Sequence, residues 1–156
     1  MTNTSSNPRV QPLRIQPVIN RVVRTLLATP LVARAVGRRL VTLYVIGRKS
    51  GRRYTIPIAY LRAGTDLIIG TAFPWSRNLR TGEPVEIRYL GKRRRADVVV
   101  YTDEADVVRY YDAICRDNRA FANLNKISLD PAGNPNPQDL HQAWTTGARV
   151  LRLSVA

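Results

Sequence analysis

The stretch "YTIPIAYLRAGTDLIIGT", Tyr54 to Thr71, decides the fold. Each half is short and rich in β-branched and aromatic residues, and the turn "RAGTD" separates them, which is the pattern of a hairpin and not of a helix. Pro57 lies inside the first half. Lacking an N–H, it argues for a sheet edge or a bulge there, since a central strand needs that donor.

Outward from this hairpin the same pattern recurs in "LVTLYVI" (40–46), "VEIRYL" (85–90), "RRRADVVVY" (93–101) and "ARVLRLSV" (148–155). With 54–61 and 66–71 this makes about six strands, mainly antiparallel. So many hairpins in a chain of 156 residues cannot leave a flat sheet with two wet edges, so closure into a barrel is expected. Helices then plug its ends or sides, which makes the class α+β. A dinucleotide-binding βαβ fold is disfavoured, because strands and helices do not alternate and no G-x-G-x-x-G occurs.

The remaining segments read as helix or loop. Val18, Ile19, Val22, Val23, Leu26 and Leu27 form an amphipathic stripe with Arg21 and Arg24 off it, and Thr29-Pro30 starts a second apolar face. Thr102-Asp103 can cap a helix through Val107, Val108, Tyr111, Ile114 and Cys115 that ends near Asn118. The loop "LDPAGNPNP" (129–137) leads to a short helix, "QDLHQAW". The expected organisation is a mobile tail over 1–15, then one domain over 16–156 that begins with the amphipathic helices of 16–39.

Charge is distributed unevenly. The net is +14, and the first acidic residue is Asp66, so residues 1–65 hold twelve basic groups and no acid. An anionic partner for this half is implied, either nucleic acid, a lipid headgroup or a phosphorylated, carboxylated small molecule. No run approaches a membrane span, and no signal-peptide pattern opens the chain. One Cys and one His exclude an internal disulfide and a zinc site built from such ligands. A cytoplasmic location is expected, and the 16–39 helices are expected to lid the barrel, with peripheral contact to an anionic membrane through their arginines as the alternative.

The stretch "GRKSGRRYTIP", Gly47 to Pro57, concentrates anion-binding groups. Its glycines permit a tight turn from which Arg48, Lys49 and Ser50 can reach one phosphate, by forked donors, a compact charge and a hydroxyl. It is not a P-loop, because the G-x-x-x-x-G-K order is absent. A basic turn of this kind is also common on ordinary surfaces. Downstream, "TAFPWSRNLRTGEPVEIR" places Trp75 and Asn78 between two strands, either as a cap on the core and a turn closure or as a wall for a flat ring. His141 reads as a solvent-facing helix residue and Cys115 as core.

G-R-K-S-G before a Pro-bearing strand, then the A-G-T-D turn, W-x-x-N-L and a Pro-Val strand, together resemble the deazaflavin-dependent nitroreductase family of split β-barrel oxidoreductases, which use coenzyme F420. The likeness spans 40–101, with a compatible strand at 148–155. It implies a split, FMN-binding-like barrel. It further implies that the Gly47–Gly51 turn holds the cofactor phosphate through Arg48, Lys49, Ser50 and Gly51, helped by Arg53, with Pro57 also among the cofactor-binding residues. Gly70, Thr71 and Ala72 would follow the deazaflavin ring, Trp75 and Asn78 would support that loop, and Arg77 with Arg80 would meet oligoglutamate carboxylates. Tyr54 stands where members often carry Arg, and Ala59 where the nitroreductase branch has Tyr. The loop before Trp75 also lacks that branch's Lys-Gly-Gly run.

The resulting expectation is an F420-dependent reductase of a small conjugated or quinone-like substrate, with FMN as the alternative cofactor. No catalytic dyad is required, since the cofactor carries the hydride. A cofactor carrier or lipid-surface binder is the second expectation. A nucleic-acid module is the third and is disfavoured, because Trp75, Tyr89 and Tyr101 form no stacking platform with basic residues, although "GKRRR" (91–95) is a basic hairpin turn.

Overall fold

Only Tyr60 separates the two edges of the sheet. In the computed structural model, which describes residues 39–156, the strands are β1 (Leu40–Ile46), β2 (Arg53–Ala59), β3 (Leu61–Ala63), β4 (Asp66–Thr71), β5 (Val85–Tyr89), β6 (Lys92–Tyr101) and β7 (Arg149–Val155). They pair antiparallel in the order β2-β1-β5-β6-β7-β4-β3. The first and last members of that order are consecutive in the chain, so the sheet must curl until its edges meet. This is an α+β, split-barrel-like fold. The tail expected over 1–15 and the helices expected over 16–39 lie outside the described residues, save Arg39.

The expected strand 54–61 is therefore two strands. Ala59 pairs with Leu40 on one edge, whereas Leu61 pairs with Ile68 on the other. At the bend the Tyr60 N–H donates to the Arg39 carbonyl at 3.1 Å, keeping a backbone group paired where the chain changes neighbours. Pro57 sits opposite Thr42 on the terminal strand β2, where its missing donor costs no ladder bond.

Alternation along the strands fills the barrel. Val41, Leu43, Val45, Leu67, Ile69, Ile87, Val98, Leu151 and Leu153 point inward and are almost fully buried. Strand β4 is buried on both faces because helices cover its outer side, which explains the unbroken apolar run "LIIG". Those helices are α1 (Glu104–Asp117), α2 (Arg119–Leu124) and α3 (Pro137–Thr145).

The helix ends follow local chemistry. The Asp103 carboxylate accepts from the Asp106 N–H at 3.1 Å, starting α1 and holding the Asp103 carboxyl below its usual range through that backbone bond. Asn118 closes α1 and caps α2 by accepting from the Phe121 N–H at 3.1 Å. Asn136 caps α3, with Pro137 in its first turn. Val107, Tyr111, Ile114 and Cys115 of α1 bury against Ile68 and Val150.

Gly70 marks the closest approach of helix layer and sheet. A Cβ there would lie 2.7 Å from Phe121 Cζ and 2.9 Å from Tyr111 Cε2. Both rings are wedged together, with centroids 5.1 Å apart, and cannot easily withdraw. Gly70→Ala is expected to lower stability by about 1–3 kcal/mol through overpacking, checked by urea unfolding of wild type and variant.

Candidate functional site

The turn joining β1 to β2 is closed by its own backbone. Gly47 N–H donates to the Arg52 carbonyl and Gly51 N–H to the Gly47 carbonyl, each at 2.8 Å. Gly51 adopts φ +66°, and a Cβ on Gly47 would meet Ser50 Oγ at 2.7 Å, so both glycines are required by the turn. The Ser50 hydroxyl accepts from the Arg52 N–H at 3.2 Å and is engaged within the turn. Lys49 and Arg52 project into water.

Asn78 ties this turn to the segment after β4. Its Oδ1 accepts from Arg48 N–H at 3.0 Å, while its Nδ2 donates to the Trp75 carbonyl at 2.9 Å. Arg48 then reaches over it, donating from Nε to the Asn78 carbonyl at 3.2 Å and from Nη2 to Glu83 at 2.7 Å. Residues Pro74–Asn78 form a single 3-10 turn. Trp75 points into the barrel core and is buried, so of the two roles open to it in the sequence the structure gives it the first.

Beside the turn runs an open groove of about 1000 Å³. Arg48, Arg53, Arg80, Arg93, Arg94 and Arg95 line it with Glu83 and Glu86, a formal excess of four positive charges. On its floor the Arg53 and Arg93 guanidiniums both lie over the Tyr44 ring, 4.5 and 4.8 Å from its centroid. Both also bond to Glu86 Oε1, at 3.2 and 2.7 Å. Strand pairing explains this meeting: Tyr44 faces Glu86 across β1–β5, and Glu86 faces Arg95 across β5–β6.

Of the residues singled out from the sequence, the groove gathers Arg48, Gly51, Arg53, Asn78 and Arg80. The others lie elsewhere. Lys49 and Ser50 stand on the turn outside the lining, and Pro57 is on the β2 edge. Gly70 faces α1 and α2. Thr71 is buried, with its hydroxyl accepting from Phe73 N–H at 3.1 Å, whereas Ala72 is exposed. Arg77 is exposed and lies near Arg149, whose guanidinium is held below its ordinary value by burial and then by the Arg77 charge.

Tyr44, Glu83, Glu86 and Arg93–Arg95 are not among the expected site residues. The basic run 91–95 is visible in the sequence, but it reaches β1 only across β5, and β1 lies some fifty residues away along the chain, so nothing local joins it to Gly47–Gly51. Cys115 is core and His141 solvent-facing, as expected from the sequence. Burial, and then the Asp112 charge, push the Cys115 thiol up to about 12, which keeps it protonated at neutral pH. His141 is exposed on α3 and pairs with Glu104. Among the described residues no group of three or more His, Cys, Asp or Glu could hold a metal ion, and no helix is long and apolar enough to cross a membrane.

No family model and no curated protein matches the chain. Solved structures do. The conserved hypothetical protein Rv2991 from Mycobacterium tuberculosis overlays at 13% identity and a TM-score of 0.46, covering 82% of this chain and 80% of that one. A candidate 5-nitroimidazole antibiotic resistance protein from Bacteroides thetaiotaomicron gives 9% identity and a TM-score of 0.45, covering 87% and 79%. HupZ from Group A Streptococcus, as a histidine-to-alanine variant, gives 16% and 0.42, covering 82% and 94%. At such values the likeness carries no functional argument, which rests on this chain's own residues.

Asn78 is the joint of the site. Asn78→Ala removes both of its side-chain bonds and is expected to cost about 1–2 kcal/mol, with faster amide exchange at Arg48 than at the neighbouring β1 positions. Hydrogen exchange followed residue by residue checks both.

Proposed function

We propose that this chain binds a deazaflavin of the F420 type by its phosphate and oligoglutamate arm along the arginine groove, and serves hydride transfer between that cofactor and a small conjugated or quinone-like substrate. The observation that supports this reading is the groove itself, open and lined by six arginines against two glutamates. A chain of spaced carboxylates ending in a phosphate matches such a lining better than a compact anion does. FMN offers the phosphate without the arm and is the weaker candidate.

The ion pairs already present do not block this use. Glu83 is 58% exposed, and exposed pairs are worth less than about 1 kcal/mol. A phosphate receiving two or three charge-assisted bonds outweighs that, so Arg48 can exchange Glu83 for ligand at little cost. Arg53 and Arg93 share Glu86 in the same way and have donors left over.

The arm fits these residues and the ring does not. Gly70 is covered by Tyr111 and Phe121, and Thr71 and Trp75 are turned inward, so the stretch that the family resemblance assigns to the ring offers it only Ala72. The cofactor supplies its own hydride chemistry. What these residues contribute is anion binding and a fixed orientation of the arm by a turn that Asn78 holds in place. The covered ring stretch favours a second reading, in which the chain carries the cofactor without turning it over. Oxidation of the reduced, bound cofactor by a quinone, no faster than in free solution, is the result that selects the carrier.

F420 is expected to bind more tightly than FMN, with affinity falling as salt rises. Arg48→Ala should weaken binding by about 1–3 kcal/mol, and Glu83→Gln should strengthen it by up to about fivefold by releasing Arg48. Fluorescence titration at two salt concentrations checks all three. Equal binding of FMN removes the cofactor assignment.

A further inference from the structure

One end of the sheet presents apolar side chains to water within a basic surround. Continued two steps beyond Thr42↔Arg88, the β1–β5 register brings Leu40 and the turn residue Leu90 to the same end of the sheet. Leu90 is 75% exposed and Leu40 43%. Tyr60 and Tyr89, which lie beside them, pack edge to face at 5.7 Å and close the barrel beneath.

Leu90 sits where its side chain does not help folding. It is the first residue of the two-residue turn between β5 and β6, at φ +48°, followed by Gly91 at +76°. Such turns favour Asn-Gly, because Asn tolerates the left-handed region and Leu does not. A bulky apolar residue held at an exposed tip in this conformation points to contact with something apolar outside the chain. Arg88, Lys92 and Arg93 flank the tip, all exposed, and residues 87–96 contain no acid. By sequence, the stretch from Val18 to Val36, with its apolar stripe and arginines and no acid, leads into β1 at this same end.

We propose that this end of the barrel docks on an anionic bilayer, with Leu90 and Leu40 entering the boundary between headgroups and acyl chains and Arg88 and Lys92 meeting lipid phosphates. An apolar tip whose own stretch, 87–96, carries cations and no acid matches that interface, which is negative outside and apolar just beneath; the acid bonded beside Leu40, Asp117, is neutralised by Arg39. Nucleic acid suits it less. A phosphate backbone has no partner for Leu90, and the neighbouring rings are packed on one another and not presented for stacking. Neither Leu90, Arg88 nor Lys92 lines the arginine groove, so membrane docking and cofactor binding can fail independently.

The test is co-sedimentation of the full chain with vesicles of phosphatidylglycerol and phosphatidylcholine in equal parts, against phosphatidylcholine alone. The chain should pellet with the first and stay in solution with the second. Leu90→Asn should keep or raise the melting temperature while weakening vesicle binding about tenfold, the scale of one buried leucine side chain. Arg88→Gln with Lys92→Gln should weaken it at least as much and reduce its salt dependence. Vesicle binding by Leu90→Asn equal to wild type overturns the proposal. So does a wild-type chain that ignores anionic vesicles, whether it binds duplex DNA instead or keeps Leu90 covered by its own residues 18–36.

Discussion

The bend at Tyr60 is the constraint on which the rest of the molecule depends. A strand that pairs with β1 up to Ala59 and with β4 from Leu61 makes both edges of the sheet parts of one segment. The two edges meet at that corner, and among the described residues β2 and β3 each pair with one neighbour. Curvature follows, and with curvature come an inside and an outside. The inside is filled by alternating aliphatic residues, whereas the outside divides into a half covered by helices over β4 and β7 and a half over β1, β5 and β6 that no helix among the described residues covers. The arginine groove lies on this second half.

This division also explains how so many cations sit close together. On the outer face of β1, β5 and β6, strand pairing forces Tyr44, Glu86 and the arginines of β6 into adjacent rows. Two glutamates and one aromatic ring relieve the repulsion, and each relief is partial and exposed to solvent. The groove therefore keeps a formal excess of four positive charges.

Much of this architecture was legible in the sequence, because its signals are local. Period-two alternation located the strands, Pro57 marked β2 as an edge, and the Asp103 cap and Asn118 bounded α1. The bend at Tyr60 was not legible, since its cause is a change of partner between two strands distant in sequence. Helix α2 was hidden because Asn118, which ends one helix, also begins the next. In the candidate site, Gly47–Gly51 and Asn78 stood out as motifs, and the structure ties them together through Arg48. The burial of Gly70 beneath Phe121 could not be read, because a glycine carries no mark of which face is crowded. Nor could the counterions Glu83 and Glu86, which meet their arginines only through non-local pairing.

The place of β7 between β6 and β4 bears on how the chain is made. Strands β3 and β4 can join the rest of the sheet only through β7, and the register Asp66↔Ser154 spans most of the described chain. During synthesis, β1, β2, β5 and β6 can assemble as they emerge, while β4, paired on one side with β3, waits with the other side of its apolar run "LIIG" unpaired until β7 emerges. The slow step of folding is then a long-range closure and not local hairpin formation. In that interval β4 is the segment most exposed to aggregation and most in need of a chaperone.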